Sequence, residues 1–196
     1  MMEGELMAEK IMLASGSPRR RDLLQTIGID FDICLCEVDE TQSGKPEIVV
    51  QQLAIKKAQA ASYTHPGRII LAADTLVYAN GNSLGKPKDA SEAFNMLKLL
   101  QGTWHQVFTG ICLIVDDNKN YKTAVEMTRV QFVSLEDAEI SAYIKSGEPF
   151  GKAGAYAIQG IAGMFISRIE GSYSNVVGLP LHVIKTLLEE ARIKLL

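Results

Sequence analysis

Ile11-Met12-Leu13-Ala14-Ser15-Gly16-Ser17-Pro18-Arg19-Arg20 passes from a continuous apolar run to small residues and then to paired arginines. The pattern predicts a buried strand, a tight loop and the first turn of a helix. Ser17 suits the N-cap, and Pro18 suits the first helical position, where a missing N–H costs nothing. The helix continues with Leu23, Leu24 and Ile27 on one face and stops at Gly28. Arg19, Arg20 and Arg21 crowd a helix end already made positive by its open N–H groups, and Asp22 offsets only part of that charge. A strand–loop–helix that gathers cations and free donors at one point suits an anion, with phosphate the usual one.

The rest of the chain sets bounds on what that anion belongs to. With 196 residues there is material for one sizeable core or two small lobes around a cleft, and residues 1–196 are expected to form a single domain. A hydrophobic fraction of 47% with 22% charged residues is ordinary globular composition. The net charge of −3 gives no general drive toward nucleic acid or an anionic membrane, so a phosphate site must be local and its ligand small. No apolar run reaches bilayer length, and Met1-Met2-Glu3-Gly4-Glu5 lacks the basic and apolar regions of a signal peptide, so a cytoplasmic protein is expected. Cys34, Cys36 and Cys112 form no metal spacing, and His65, His105 and His182 are scattered. No Gly-x-Ser-x-Gly turn supports a serine hydrolase.

Along the chain, Phe31 to Val38 alternates like a strand and ends in Asp39-Glu40, ahead of a helix entered at Pro46. That helix carries Val50, Leu53, Ala54, Ala58 and Ala61 on one face, a spacing that also brings in Lys57 while Lys56 points away. Lys57 either snorkels to solvent or reaches across the core edge toward phosphate. Arg68 to Thr75 is the run of a central buried strand that delivers Asp74 at its end, where ligands of open α/β sheets collect. Strand continues through Ala79, Asn80-Gly81 turns a hairpin, and Gly85 and Pro87 fix the backbone around Lys86. A helix capped by Asp89, with Glu92 in the capping-box position, ends at Gly102. A long hairpin follows, His105–Val115 and Tyr121–Val133 around a turn at 117–120, and Ser134 and Asp137 open the next helix. The small-residue stretch from Gly151 to Gly160 suits a loop lying against a ligand. A strand from Met164 to Ile169, a turn at Ser172–Asn175 and a helix from Pro180 complete the chain.

Arg19, Arg20, Lys57 and Lys86 are thus candidate cations, Asp39, Glu40 and Asp74 candidate acids, and Ser15 and Ser17 small donors. Carboxylates repel phosphate unless a divalent metal or a water stands between them, so the mixture suggests catalysis on a polyphosphate with Mg²⁺ or Mn²⁺ bridging acid and substrate.

These blocks resemble the Maf-like nucleoside triphosphate pyrophosphatases. The likeness rests on Leu13 to Arg20, Val38-Asp39-Glu40, Ala54 to Ala58 around Lys57, Ala73-Asp74-Thr75, Gly85-Lys86-Pro87, Thr109-Gly110 and Lys152 to Gly160, in family order. It implies an α/β fold of two lobes around a central cleft on a mixed, elongated sheet, related to the inosine triphosphatase-like fold. It also implies metal-assisted hydrolysis of a nucleoside triphosphate to monophosphate and pyrophosphate. By position, Asp74 resembles the catalytic base, and Arg19, Arg20, Lys57 and Lys86 the phosphate-binding cations, with Ser15 and Ser17 lining the loop. Glu40 resembles the metal-associated acid, together with Asp74 and with Asp39, where the family often has Glu. Thr75, Gln159 and Arg19 match the subgroup preferring dTTP and UTP over 7-methyl-GTP. The implied partner is the nucleotide, with no nucleic acid and no membrane; a homodimer is the oligomer to test. The rival reading is a nucleotide-binding regulator of septum formation or cell division with little turnover, against which the presence of Asp74 weighs. A second rival takes Ser17-Pro18-Arg19-Arg20 as a DNA-binding or kinase-site motif in a flexible tail, against its place between strand and helix.

Overall fold

The computed structural model describes residues 10–116 and 120–193, so positions 1–5 and 117–119 of the readings above lie outside the described residues. Ile11 to Ala14 forms β1, buried along its whole length because it has strands on both sides. β2 (Phe31–Ile33) and β3 (Ile70–Ala79) flank it in parallel. β4 (Asn82–Leu84) returns antiparallel on β3 through a turn with Asn80 and Gly81 at positive φ, as a two-residue hairpin requires. β5 (Trp104–Asp116), β6 (Asn120–Phe132) and β7 (Ile166–Glu170) extend the sheet antiparallel from β3. The strand order is β2-β1-β3-β5-β6-β7, with β4 beside β3.

The long strands β3, β5 and β6 run through two groups of packed helices, which accounts for the two lobes. At one end, α2 (Pro46–Thr64) lays Ala54, Ala58 and Ala61 on Met12, Ala14, Ile70, Ala72 and Cys112. On the opposite face, α1 (Pro18–Thr26) and α6 (Leu181–Glu190) bury Leu23, Leu24, Ile184 and Leu188 against Ile11, Leu13, Leu71 and Leu113. At the other end, α3 (Ala90–Leu100) and α4 (Asp137–Lys145) cover Val77, Val107, Val130 and Phe132.

Asp74 is not at a strand end, as the apolar run suggested, but in the middle of β3. One edge of β3 pairs with β1 at Ile70–Ala72 and with β4 at Val77–Ala79, so Asp74 falls in the gap between those ladders. The opening in the sheet has the same effect as a strand end. Opposite Asp74 in the β5 register stands Gly110, where a Cβ would lie 2.3 Å from the Val50 carbonyl oxygen. Only glycine lets α2 rest its backbone on the sheet beside that carboxylate.

Other expectations shift. The alternation of Phe31 to Val38 makes a strand only to Ile33: β1 stops at Ala14, so the chain beyond Cys34 has no ladder to join. Cys34 and Cys36 therefore lie on a loop, their sulfurs 3.1 Å apart. Val125, Met127 and Arg129 mark the outer side of β6, and Thr128, Val130 and Phe132 the buried side. Glu136, not Ser134, caps α4 with Glu139. Met164 belongs to a 3₁₀ turn, Ile161–Phe165, ahead of β7. The turn at Ser172–Asn175 is a short helix, α5 (Tyr173–Val177), with the Ser172 hydroxyl accepting the Asn175 N–H.

His105 is 2% exposed within β5, edge-on to Phe132 and Tyr156 and hydrogen-bonded to the Tyr156 hydroxyl at 2.8 Å. Burial pushes its pKa down to about 4. An unfolded histidine titrates near 6.5, so as pH falls the unfolded chain gains the proton first and stability declines. Urea melts at pH 7 and pH 5 should show a loss about 2 kcal/mol smaller in His105→Gln than in the parent protein.

Candidate active site

The gap in the sheet opens into a cleft of about 530 Å³, lined from one lobe by the loop after β1 and α1, and from the other by Lys86, Val107 and residues 151–159. Two adjacent residues of α1 meet it differently. Arg20 is 8% exposed and turns inward: Nε donates to the Gly178 carbonyl at 2.7 Å, one terminal nitrogen to Ser15 Oγ at 3.0 Å and the other to Thr75 Oγ1 at 2.9 Å. Burial, outweighing attraction to Asp74, lowers its pKa to about 10, so it stays charged at neutral pH. Arg19 is half-buried in the cleft wall, its pKa lowered by desolvation, and no hydrogen bond or ion pair engages its guanidinium among the described residues.

The serines divide similarly. Ser15 Oγ accepts from both the Ser17 N–H and Arg20, leaving its own proton to donate into the cleft. Ser17 occupies the N-cap position, but its side chain makes no cap hydrogen bond, so the first-turn N–H groups of α1 remain open to an anion. Thr75 lines the cleft, yet its hydroxyl is engaged by Arg20 and by Thr109 at 3.0 Å.

On the α2 side, Lys57 Nζ lies 2.6 Å from Glu40 Oε1 and 2.6 Å from Asp74 Oδ1. The two carboxylate oxygens are thus no further apart than the sum of those distances. Lys57 and Asp74 are 14% and 15% exposed at the side chain, shielded enough that each needs the other's charge. Burial would raise the Glu40 pKa, but the hydrogen bond and charge of Lys57, with Lys86 and Arg20 behind it, leave it below the usual value. Asp74 Oδ2 has no hydrogen-bond partner among the described residues. Lys86, 63% exposed, stands 3.9 Å from Glu40 Oε2, a loose contact that leaves its ammonium free to move.

Gln159 is exposed on the opposite wall. Asp39 is not among the lining residues; its carboxylate accepts the Thr41 N–H at 2.8 Å, outside the cleft. Leu35, Glu37, Val176 and Val177 also line the cleft and are not among the sequence candidates, whereas Tyr156 belongs to the small-residue stretch expected to lie against a ligand. Leu35 and Glu37 were hidden because their loop alternates like a strand.

Four cations, Arg19, Arg20, Lys57 and Lys86, line the cleft against three carboxylates, Glu37, Glu40 and Asp74. A triphosphate carries about four negative charges, so the side chains alone leave it under-neutralised. Glu40 and Asp74 supply the hard oxygen ligands that Mg²⁺ or Mn²⁺ prefers. No group of three His, Cys, Asp or Glu poised to hold a metal exists among the described residues, so such an ion would need substrate oxygens to complete its shell.

A dTTP/UTP pyrophosphatase of Ruminiclostridium cellulolyticum is 47% identical over 189 residues, covering 95% of this chain and 98% of the relative. A second, from Pelotomaculum thermopropionicum, is 48% identical over 184 residues, covering 93% and 96%. Among solved structures, the Staphylococcus aureus Ham1 protein matches with a TM-score of 0.56 at 15% identity, over 93% of this chain and 100% of that one, a likeness of fold. Residues 10–191 match the family described as Maf-like protein. With that match spanning nearly all described residues, and relatives close to half identical over nearly their full length, the chain belongs to the Maf-like protein family.

Proposed function

We propose that the cleft hydrolyses dTTP and UTP to the monophosphate and pyrophosphate by attack of water on the α-phosphorus. The observation that carries the reading is Asp74: a carboxylate in a sheet gap, one oxygen held by Lys57 and the other open to the cleft. The relatives named dTTP/UTP pyrophosphatase support the substrate class.

In this reading Asp74 Oδ2 orients the water and takes its proton as the new P–O bond forms. The bond from the α-phosphorus to the bridging oxygen breaks, and pyrophosphate leaves with that oxygen. Lys57 keeps Asp74 aimed at the cleft, while Arg19 and Lys86, the two least engaged cations, neutralise phosphate oxygens. Ser15 donates its remaining proton to a phosphate oxygen, with Ser17 beside it. Arg20 contributes charge from behind Ser15 and fixes the loop. Glu40 and Asp74 would hold a divalent cation, which when bound would withdraw charge from the phosphates. Thr75 acts through Arg20 and Thr109, leaving Gln159 on the opposite wall to face the base. The net charge of −3 supports a nucleotide rather than nucleic acid as partner, and no helix among the described residues is long and apolar enough to cross a membrane.

Asp74→Asn should lower pyrophosphate release from dTTP and UTP by about 10²- to 10⁴-fold while nucleotide binding persists in calorimetry. Undiminished release would remove Asp74 from the role, and release of orthophosphate with nucleoside diphosphate would move the attack to the γ-phosphorus. Glu40→Gln should raise the Mg²⁺ concentration for half-maximal turnover about 10-fold or more. An unchanged midpoint would take Glu40 out of the metal site.

A further inference from the structure

Gln159 is exposed, yet the backbone that follows it is held by Glu148, a side chain outside the catalytic set that Tyr143 holds in turn. Tyr143 of α4, 3% exposed, donates its hydroxyl to Glu148 Oε1 at 3.0 Å. Glu148 Oε2 accepts the Ile161 N–H at 2.8 Å, and Oε1 also accepts the Ala162 N–H at 3.2 Å. Just before them the Gly160 N–H closes back on the Ala157 carbonyl at 3.1 Å. A Cβ on Gly160 would lie 2.3 Å from Glu148 Oε2, so the carboxylate occupies the space a side chain would need. Glu148 is itself held, its carbonyl accepting from Lys152 Nζ at 2.5 Å.

An idle surface carboxylate is solvated, whereas both oxygens here are taken by donors, two of them the backbone N–H groups that directly follow Gly160. Ala157, Ile158 and Gln159 line the cleft, so whatever sets this backbone sets where the Gln159 amide stands. Hydrogen-bond discrimination fails when the reading group is displaced by more than about half an ångström.

We infer that Tyr143 and Glu148 are positioning residues for base recognition: they pin the backbone that follows Gln159 so that the Gln159 amide meets the nucleobase of the bound triphosphate. The inference rests on the dTTP/UTP reading of the cleft. Neither residue touches substrate, and both stand apart from Asp74 and Lys57, so their loss changes which nucleotide is taken before it changes the chemistry.

The test compares kcat and KM for UTP and GTP, with Mg²⁺, in the parent enzyme, Glu148→Gln, Tyr143→Phe and Gln159→Ala, and in Gln159→Ala combined with each of the other two. Glu148→Gln sets an amide against backbone N–H donors, and Tyr143→Phe removes only the phenol oxygen. Glu148→Gln should raise the KM for UTP and lower the UTP-over-GTP preference in kcat/KM about 10-fold with kcat little changed, and Tyr143→Phe should do so less strongly. In the Gln159→Ala background neither substitution should lower the preference further, a non-additivity that a merely structural role would not produce. Should Glu148→Gln fail to fold, Tyr143→Phe and its double variant carry the test. A preference that survives in the folded variants, or that falls equally with and without Gln159, overturns the inference and leaves the substrate reading standing. A parent enzyme that does not prefer UTP or dTTP to GTP overturns both.

Discussion

The ammonium of Lys57, held between Glu40 and Asp74, is the interaction on which the rest of the cleft depends. It joins three parts of the chain: helix α2, the open section of β3, and the segment between β2 and α2. A lysine on the apolar stripe of a helix usually bends its stem to water. Here Ala54, Ala58 and Ala61 are small enough for α2 to lie close on the sheet, and Gly110 removes the side chain that would hold it off. The helix is therefore near enough for the Lys57 stem to reach Asp74 directly. Because both groups are largely shielded from solvent, neither is stable there without the other.

The second constraint is the brevity of β1. Three residue pairs of ladder leave β3 uncovered at Ala73–Leu76 before β4 begins, and the chain leaving β1 turns across that opening as the Ser15–Ser17 loop. Arg20 closes the back of the loop by linking Ser15, Thr75 and the Gly178 carbonyl. Its neighbour Arg19, about 100° further round the helix, faces the cleft instead. The electrostatic oddity of arginines at a helix N-terminus thus has two solutions side by side: one cation hydrogen-bonded to buried oxygens, the other left for a ligand.

Much of this was legible in the residues, and the gaps have physical causes. The apolar run Ile11–Ala14, the helix starts at Pro18 and Pro46, the Asn80-Gly81 turn and the Lys57 position on the α2 stripe all follow from local chemistry. The end of β2 did not, because Phe31 to Val38 keeps its alternation past the point where β1 can pair with it. The engagement of Arg20 and Thr75 was invisible because their common partner, Gly178, lies more than a hundred residues away. Tyr143 and Glu148 went unnoticed for a different reason: two of their partners are backbone N–H groups at Ile161 and Ala162, which no side-chain pattern reports. Asp39 and Glu40 are adjacent in sequence, but the Asp39 carboxylate accepts the Thr41 N–H while Glu40 meets Lys57, a difference that no residue pattern reports.

Water oriented by Asp74 is proposed to attack the α-phosphorus. Turnover of UTP in ¹⁸O-labelled water, with products separated by mass spectrometry, tests it directly. The account predicts one labelled oxygen in the monophosphate and none in pyrophosphate. Label in pyrophosphate with unlabelled monophosphate would place the attack on the β-phosphorus and contradict it.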